Sequence, residues 1–170
     1  VLKTLRRALW VLALLGIALL LAGQAGAFRG QPPGDLGVQD GRLKAPSQRP
    51  NSVSSQARLW VGHPQQDAAQ IDPLPLLDGD AAATMATLDR VVRSAPGAKV
   101  VRSEAGYLYA EFTTPVLRFT DDVEFWLDSA TGVIHVRSAS RLGESDLGAN
   151  RQRVEAIRAH LRASRATAPD

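Results

Sequence analysis

Cysteine is absent from this chain of 170 residues. Disulfides, thiolate nucleophiles, thiolate metal sites and a lipid-modified N-terminal cysteine are therefore excluded together. Lysine is scarce: Lys3, Lys44 and Lys99 stand against 17 arginines, a ratio that reads as codon bias in a GC-rich genome and not as a binding signal. Net charge is nearly absent as well. Lys3, Arg6 and Arg7 account for the whole formal charge of +3, and the remaining residues are balanced. A balanced domain offers a polyanion no electrostatic footprint, so no nucleic-acid partner is expected. Also missing are a Gly-rich phosphate loop, a G-x-S-x-G elbow, an H-E-x-x-H helix, an internal repeat and a heptad pattern. His63, His135 and His160 fall in an arm, a strand and a helix without metal-ligand spacing. No catalytic residue, metal site or cofactor is assigned on these grounds.

What is present begins with an address. Lys3, Arg6 and Arg7 precede Ala8 to Phe28, a stretch of 21 residues without charge. Residues 1–28 thus read as a signal peptide or a single transmembrane anchor. Ala8 to Ala22 has the length of a signal-peptide apolar region, and Ala25-Gly26-Ala27 supplies the small residues of a cleavage site. Gly23 to Phe28 carries only Gln24 as a polar residue, so extension to a full span is also tolerated. With the basic flank in the cytoplasm, either reading puts the rest outside it, in the bacterial periplasm, anchored or secreted. The membrane is then a partner wherever the segment is not cleaved.

The expected fold class is α+β: an antiparallel sheet of about four to five strands packed by two helices, behind a Pro-rich irregular arm. Residues 29–75 form the linker and arm. Seven prolines from Pro32 to Pro75 remove backbone donors and disfavour long regular elements. Val53, Leu59, Trp60, Val61, Ile71, Leu74, Leu76 and Leu77 are its expected docking points. The α+β domain covers 76–165, and 166–170 reads as a disordered tail. A helix is expected from about Gly79 to Ser94, capped by Asp78 or Asp80, with Met85, Leu88, Val91 and Val92 on one stripe. Strands follow over 98–102, 107–113, 116–119, 123–127 and 133–138, the alternation implying one buried and one more polar face. A last helix spans about Arg151 to Arg165, with Asn150 placed to cap it.

Functional groups are densest where Arg118-Phe119-Thr120-Asp121-Asp122-Val123-Glu124 faces Arg137-Ser138-Ala139-Ser140-Arg141. Antiparallel pairing would bring Asp121 and Asp122 to Arg137 and Arg141 at one edge of the sheet. Glu124, Ser138, Ser140, Asp146 and Asn150 complete the candidate network, and Asn51, Ser54 and Ser55 of the arm are placed to join it. Three uses are open. The first is an ion-pair and capping network, since loops rich in Ser, Asp and Arg commonly satisfy backbone groups. The second is a site for a small anionic or polar ligand walled by Arg137 and Arg141. The third is an acid–base site on Asp121 or Asp122, which nearby arginines oppose by favouring the ionised carboxylates. The favoured expectation is a non-enzymatic extracytoplasmic module that binds a ligand or a protein, with an enzyme of unknown reaction at the Asp/Arg cluster as the alternative.

The segments Pro50-Asn51-Ser52-Val53-Ser54-Ser55-Gln56, Ala110-Glu111-Phe112-Thr113, 118–125, 137–143 and Ser145-Asp146-Leu147-Gly148-Ala149-Asn150-Arg151, running on into 153–158, also carry a resemblance. Together they resemble the domain of unknown function 1499 family of bacteria and plastids over about Asp35 to Leu161. The resemblance implies an extracytoplasmic or anchored domain and supplies no catalytic residue. It further implies two cysteines at the positions of Pro46 and Ser52 in many members, both replaced here, and a histidine at the position of Gln70. The loss of both cysteines fits a structural pair, and the loss of the histidine weakens any histidine-based mechanism.

Overall fold

The computed structural model describes residues 1–166, with side chains through Ser164. The expected tail lies outside the described residues except for Ala166. Helix α1 (Leu2–Gln24) is long and apolar enough to cross a membrane and is exposed along nearly its whole length. The arm follows and contributes β1 (Ser52–Ser54), a 3-10 turn (Ala57–Leu59) and β2 (Leu74–Pro75). Then come α2 (Ala81–Ser94), β3 (Ala98–Glu104), β4 (Tyr107–Thr113), β5 (Thr120–Asp128), β6 (Val133–Ser140) and α3 (Ala149–Ala166). The sheet is antiparallel, in the order β1-β6-β5-β4-β3, with β2 also paired to β6.

The fold class is therefore α+β, with six strands instead of four to five. The two extra strands have three and two residues, too few to show alternation, and proline occupies half of β2. The expected strand over 116–119 is instead a loop. Arg118 takes a left-handed φ of 63°, and Thr114 accepts the Phe119 N–H on its hydroxyl, closing the turn that starts β5.

Period-two alternation assigns Leu108, Ala110, Phe112, Val123, Phe125, Ile134 and Val136 to one face, where α2 and α3 supply Met85, Leu88, Val92, Val154, Ile157 and Leu161. Each large side chain fully buried in this layer contributes about 1.5–3 kcal/mol. From the arm, Val53, Ile71 and Leu74 enter the same core, with Leu76 and Leu77 against it. Leu59 and Val61, expected to dock, are exposed, the first at the end of the 3-10 turn and the second just beyond it. The opposite face is not solvated, as simple alternation suggests. Residues 36–45 of the arm lie over it, with Leu43 buried against Tyr107 and Tyr109.

Candidate functional site

The arm-covered face is a polar layer inside the protein. Register places Asp122 opposite both Glu111 and Ala139, and Glu124 opposite both Tyr109 and Arg137, so these side chains share one side of the three adjacent strands β4, β5 and β6. Arg141, just past β6, lies on the same side. Its Nε reaches both Asp122 oxygens at 3.1 and 3.0 Å. Its terminal nitrogen donates to Asp122 at 2.6 Å, Glu111 at 2.6 Å and the Tyr109 hydroxyl at 3.1 Å. Burial works against the Arg141 charge, but Asp122 and Glu111 outweigh it and hold the guanidinium above its ordinary range. Tyr109 is pushed up by burial and by donating to Asp122. The cluster thus lies across the face of the central strands, beneath the arm, and not along an edge.

Arg137 and Glu124 are held differently. The Arg137 Nε donates to the carbonyl of Ala45 at 3.0 Å, while NH1 stops 3.7 Å from Glu124 Oε2. Both of those terminal atoms are buried without a hydrogen-bond partner. Glu124 Oε1 is satisfied by the Tyr107 hydroxyl at 2.7 Å and the Gly37 N–H at 2.7 Å. Burial pushes the Glu124 carboxyl up, against the pull of Tyr107, Gly37 and Arg137. Burial likewise pushes Arg137 down, against the attraction of Glu124 and Asp122. Above Arg137 opens a cleft of about 560 Å³ between the arm and β6. Asp35, Arg42, Lys44, Asp122, Arg137 and Arg141 are its charged lining, four cations against two carboxylates. Lys44 is paired with Asp35, Arg141 with Asp122, and Arg137 with Glu124 just behind the wall, which leaves Arg42 as the lining cation without an ion pair among the described residues.

The remaining candidate residues lie elsewhere. Asp121 points to the helix face, opposite to Asp122, and binds Arg153 of α3 at 2.6 Å. Adjacent strand residues project to opposite faces, so the two aspartates do not share a site. Asn150 does not cap α3. Its side chain turns inward to the Ser138 and Ser140 hydroxyls and the Asn51 carbonyl, while Asp146 accepts the N–H groups of Gly148 and Asn150. Burial works against the Asp146 charge, but those N–H groups prevail and lower its pKa. Asn51 donates to the Gly143 carbonyl, and Ser54 accepts the Gln56 N–H. Ser55 lies 3.0 Å from His135 Nδ1 and accepts the Val136 N–H, and His135 Nε2 is 3.7 Å from Asp128. None of these three lines a cleft, and Asp128 is engaged in its own turn by Ala130 and Thr131. That grouping is a packed hydrogen-bond chain.

Tyr107, Tyr109, Glu111, Arg153 and Lys44 were not among the residues singled out from sequence. The alternation of β4 puts both tyrosines and Glu111 opposite the apolar core face, which is the face of Glu124, so the signal is present in the sequence. Gly37 and Ala45 contribute backbone atoms, for which no sequence signal exists. At the positions where the family resemblance implies cysteines, the Ser52 hydroxyl accepts the Ser47 N–H. Gln70, in place of the implied histidine, accepts the Arg58 N–H and donates to the Ser55 and Ile71 carbonyls. Both replacements tie backbone together. Among the described residues, no group of three or more His, Asp or Glu side chains is placed to hold a metal ion.

Comparison with known proteins adds a family and no activity. No curated protein and no solved structure matches the chain. The family model described as Protein of unknown function (DUF1499) matches residues 42–161, which include the inner part of the arm, the whole sheet, α2 and most of α3. Since that is well over half of its length, the chain belongs to the DUF1499 family.

Proposed function

We propose that this chain is an extracytoplasmic domain, delivered or anchored by α1, that binds a small anionic ligand in the cleft beneath its arm without transforming it. One observation carries the reading: a buried arginine at the cleft, Arg137, with a terminal nitrogen that makes no hydrogen bond and meets Glu124 only at 3.7 Å. Buried guanidinium nitrogens left unpaired are costly, and a ligand carboxylate or phosphate is the group that fits them. Arg42, a lining cation without an ion pair among the described residues, supports the same ligand charge. Arg141 is the lesser part of the ligand wall in this reading, because Asp122, Glu111 and Tyr109 already occupy its Nε and one of its two terminal nitrogens. The basic flank of α1 supports a cytoplasmic start with the sheet domain on the far side.

The test is thermal unfolding of the purified full chain with inorganic phosphate or acetate added. A saturable rise in melting temperature is expected, since a ligand bound only to the native state stabilises it. The rise should disappear in Arg137→Gln. No rise in the wild type, or an equal rise in the variant, contradicts the reading.

The raised pKa of Glu124 favours acid–base chemistry as a second reading, with that residue in place of Asp121 or Asp122. Against it, Glu124 is fully buried and does not reach the cleft wall. Discovery of a turnover reaction that Glu124→Gln abolishes while anion binding persists would favour this second reading.

A further inference from the structure

The connection between α1 and the sheet domain is built, not loose. A Cβ placed on Gly23 would lie 2.7 Å from the Leu117 carbonyl oxygen, so only glycine lets the last turn of α1 approach the β4–β5 loop this closely. The adjacent Gln24 donates to the Val116 carbonyl at 2.9 Å. Phe28 stacks on Phe119 with ring centroids 5.2 Å apart. A Cβ on Gly30 would lie 2.8 Å from Cβ of Arg141, itself a cleft residue, and 3.2 Å from the Leu142 side chain. Gln31 and Pro33, the next residues along, belong to the cleft wall.

These contacts fix where the cleft stands relative to a bilayer. Twenty-three helical residues span about 34 Å, slightly more than the roughly 30 Å hydrocarbon core, which leaves Gln24 at headgroup level. From Gln24 to Gln31 the chain can extend at most about 25 Å, and the turn over residues 25–28 shortens that. The same end of the domain exposes Val116 and Leu142 as large apolar side chains. It also carries Arg29 and Arg118, neither of which forms an ion pair among the described residues. Apolar side chains beside unpaired arginines are what an anionic lipid surface accepts.

Resting on the cleft reading above, we infer that the anionic group taken by the cleft is the headgroup phosphate of a net-anionic phospholipid, one without a cation on the headgroup, presented from the leaflet in which α1 ends. The full chain in nanodiscs tests this. Melting temperatures are compared in discs of phosphatidylcholine alone, the same discs with inorganic phosphate added, and discs containing phosphatidylglycerol. The expected result is a rise of several degrees with phosphatidylglycerol and a distinctly smaller one with inorganic phosphate. That rise should be reduced in Arg42→Gln, whose side chain is exposed and whose fold is not at risk, and lost in Arg137→Gln. If Arg137→Gln does not fold, Arg42→Gln decides. An equal rise with inorganic phosphate overturns the lipid source and leaves the anion cleft standing. A phosphatidylglycerol effect undiminished in the variants overturns it too, because the lipid would then be acting on the outer surface. No rise with either probe removes the cleft reading as well.

Discussion

Replacing Arg141 by alanine removes the most heavily bonded side chain of the polar layer. Asp122, whose side chain is 2% exposed, would lose three contacts from one guanidinium and keep the Tyr109 hydroxyl. Glu111, at 23% exposed, would lose its cation but could turn toward water. Breaking a buried ion pair by deleting one partner costs about 3–5 kcal/mol, because the remaining charge stays buried. The lower end applies here, since Glu111 recovers solvent. For a domain of this size about 3 kcal/mol corresponds to a fall in melting temperature on the order of 10 °C. The assay is thermal unfolding followed by circular dichroism, with Asp122→Ala and the double variant measured alongside. The double variant should lose less than the sum of the two singles, by about 1–3 kcal/mol, because neither charge is then stranded. A loss below about 1 kcal/mol for Arg141→Ala, or strict additivity, would refute the view that Asp122 and Arg141 act as scaffold.

Other perturbations probe different parts of the account. Gly97 has φ +75° and a notional Cβ 2.4 Å from the Thr113 carbonyl oxygen, so Gly97→Ala should cost at least about 2 kcal/mol by denaturant unfolding. Asp146→Ala removes the acceptor for two N–H groups at the start of α3 and should cost about 1 kcal/mol at neutral pH. Because the Asp146 pKa is lowered from its ordinary 3.8, its contribution is present above that pH and is lost as pH falls through the lower folded value, so wild type and variant should converge in strong acid. Glu124 shifts the other way, upward from 4.5, so its contribution to stability is greatest below that pH and is lost as pH rises through the folded value. Arg137→Met removes the cation that favours ionised Glu124, and its melting temperature should drop more steeply than wild type as pH rises above 4.5. Deleting residues 30–56 should unfold the sheet domain, seen as lost dispersion of amide signals, because Leu43 and Val53 are buried and β1 pairs with β6.

Much of this architecture was legible because period matches environment. The stripe through Met85, Leu88 and Val92, and the alternation through Leu108, Ala110 and Phe112, each report a face packed on one core. The arm was less legible. Its two strands are too short for a pattern, and its polar anchors, such as Gln56 holding the Leu43 N–H and the Gly41 carbonyl, serve backbone atoms that have no residue type. Register brings Asp122 near Arg141 as expected, while the same period-two rule sends Asp121 to the opposite face. Asn150 reads as a cap in the sequence because its position at the start of a helix suits a capping and an inward side chain equally. Which arginine is saturated and which is not depends on distances of under an ångström, and no sequence pattern encodes that.

The central claim is that Arg137, unlike the carboxylate-bound Nε and Nη2 groups of Arg141, has donor capacity reserved for an anion. Nitrogen-15 spectra of the arginine side chains, recorded on the full chain in detergent micelles while inorganic phosphate is added, test it directly. The account predicts a saturable shift of the Arg137 Nη1 signal, which has no hydrogen-bond partner, with the Arg141 Nη2 signal stationary because Asp122 and Glu111 already occupy it. Equal movement of both signals, or of neither, would contradict the account.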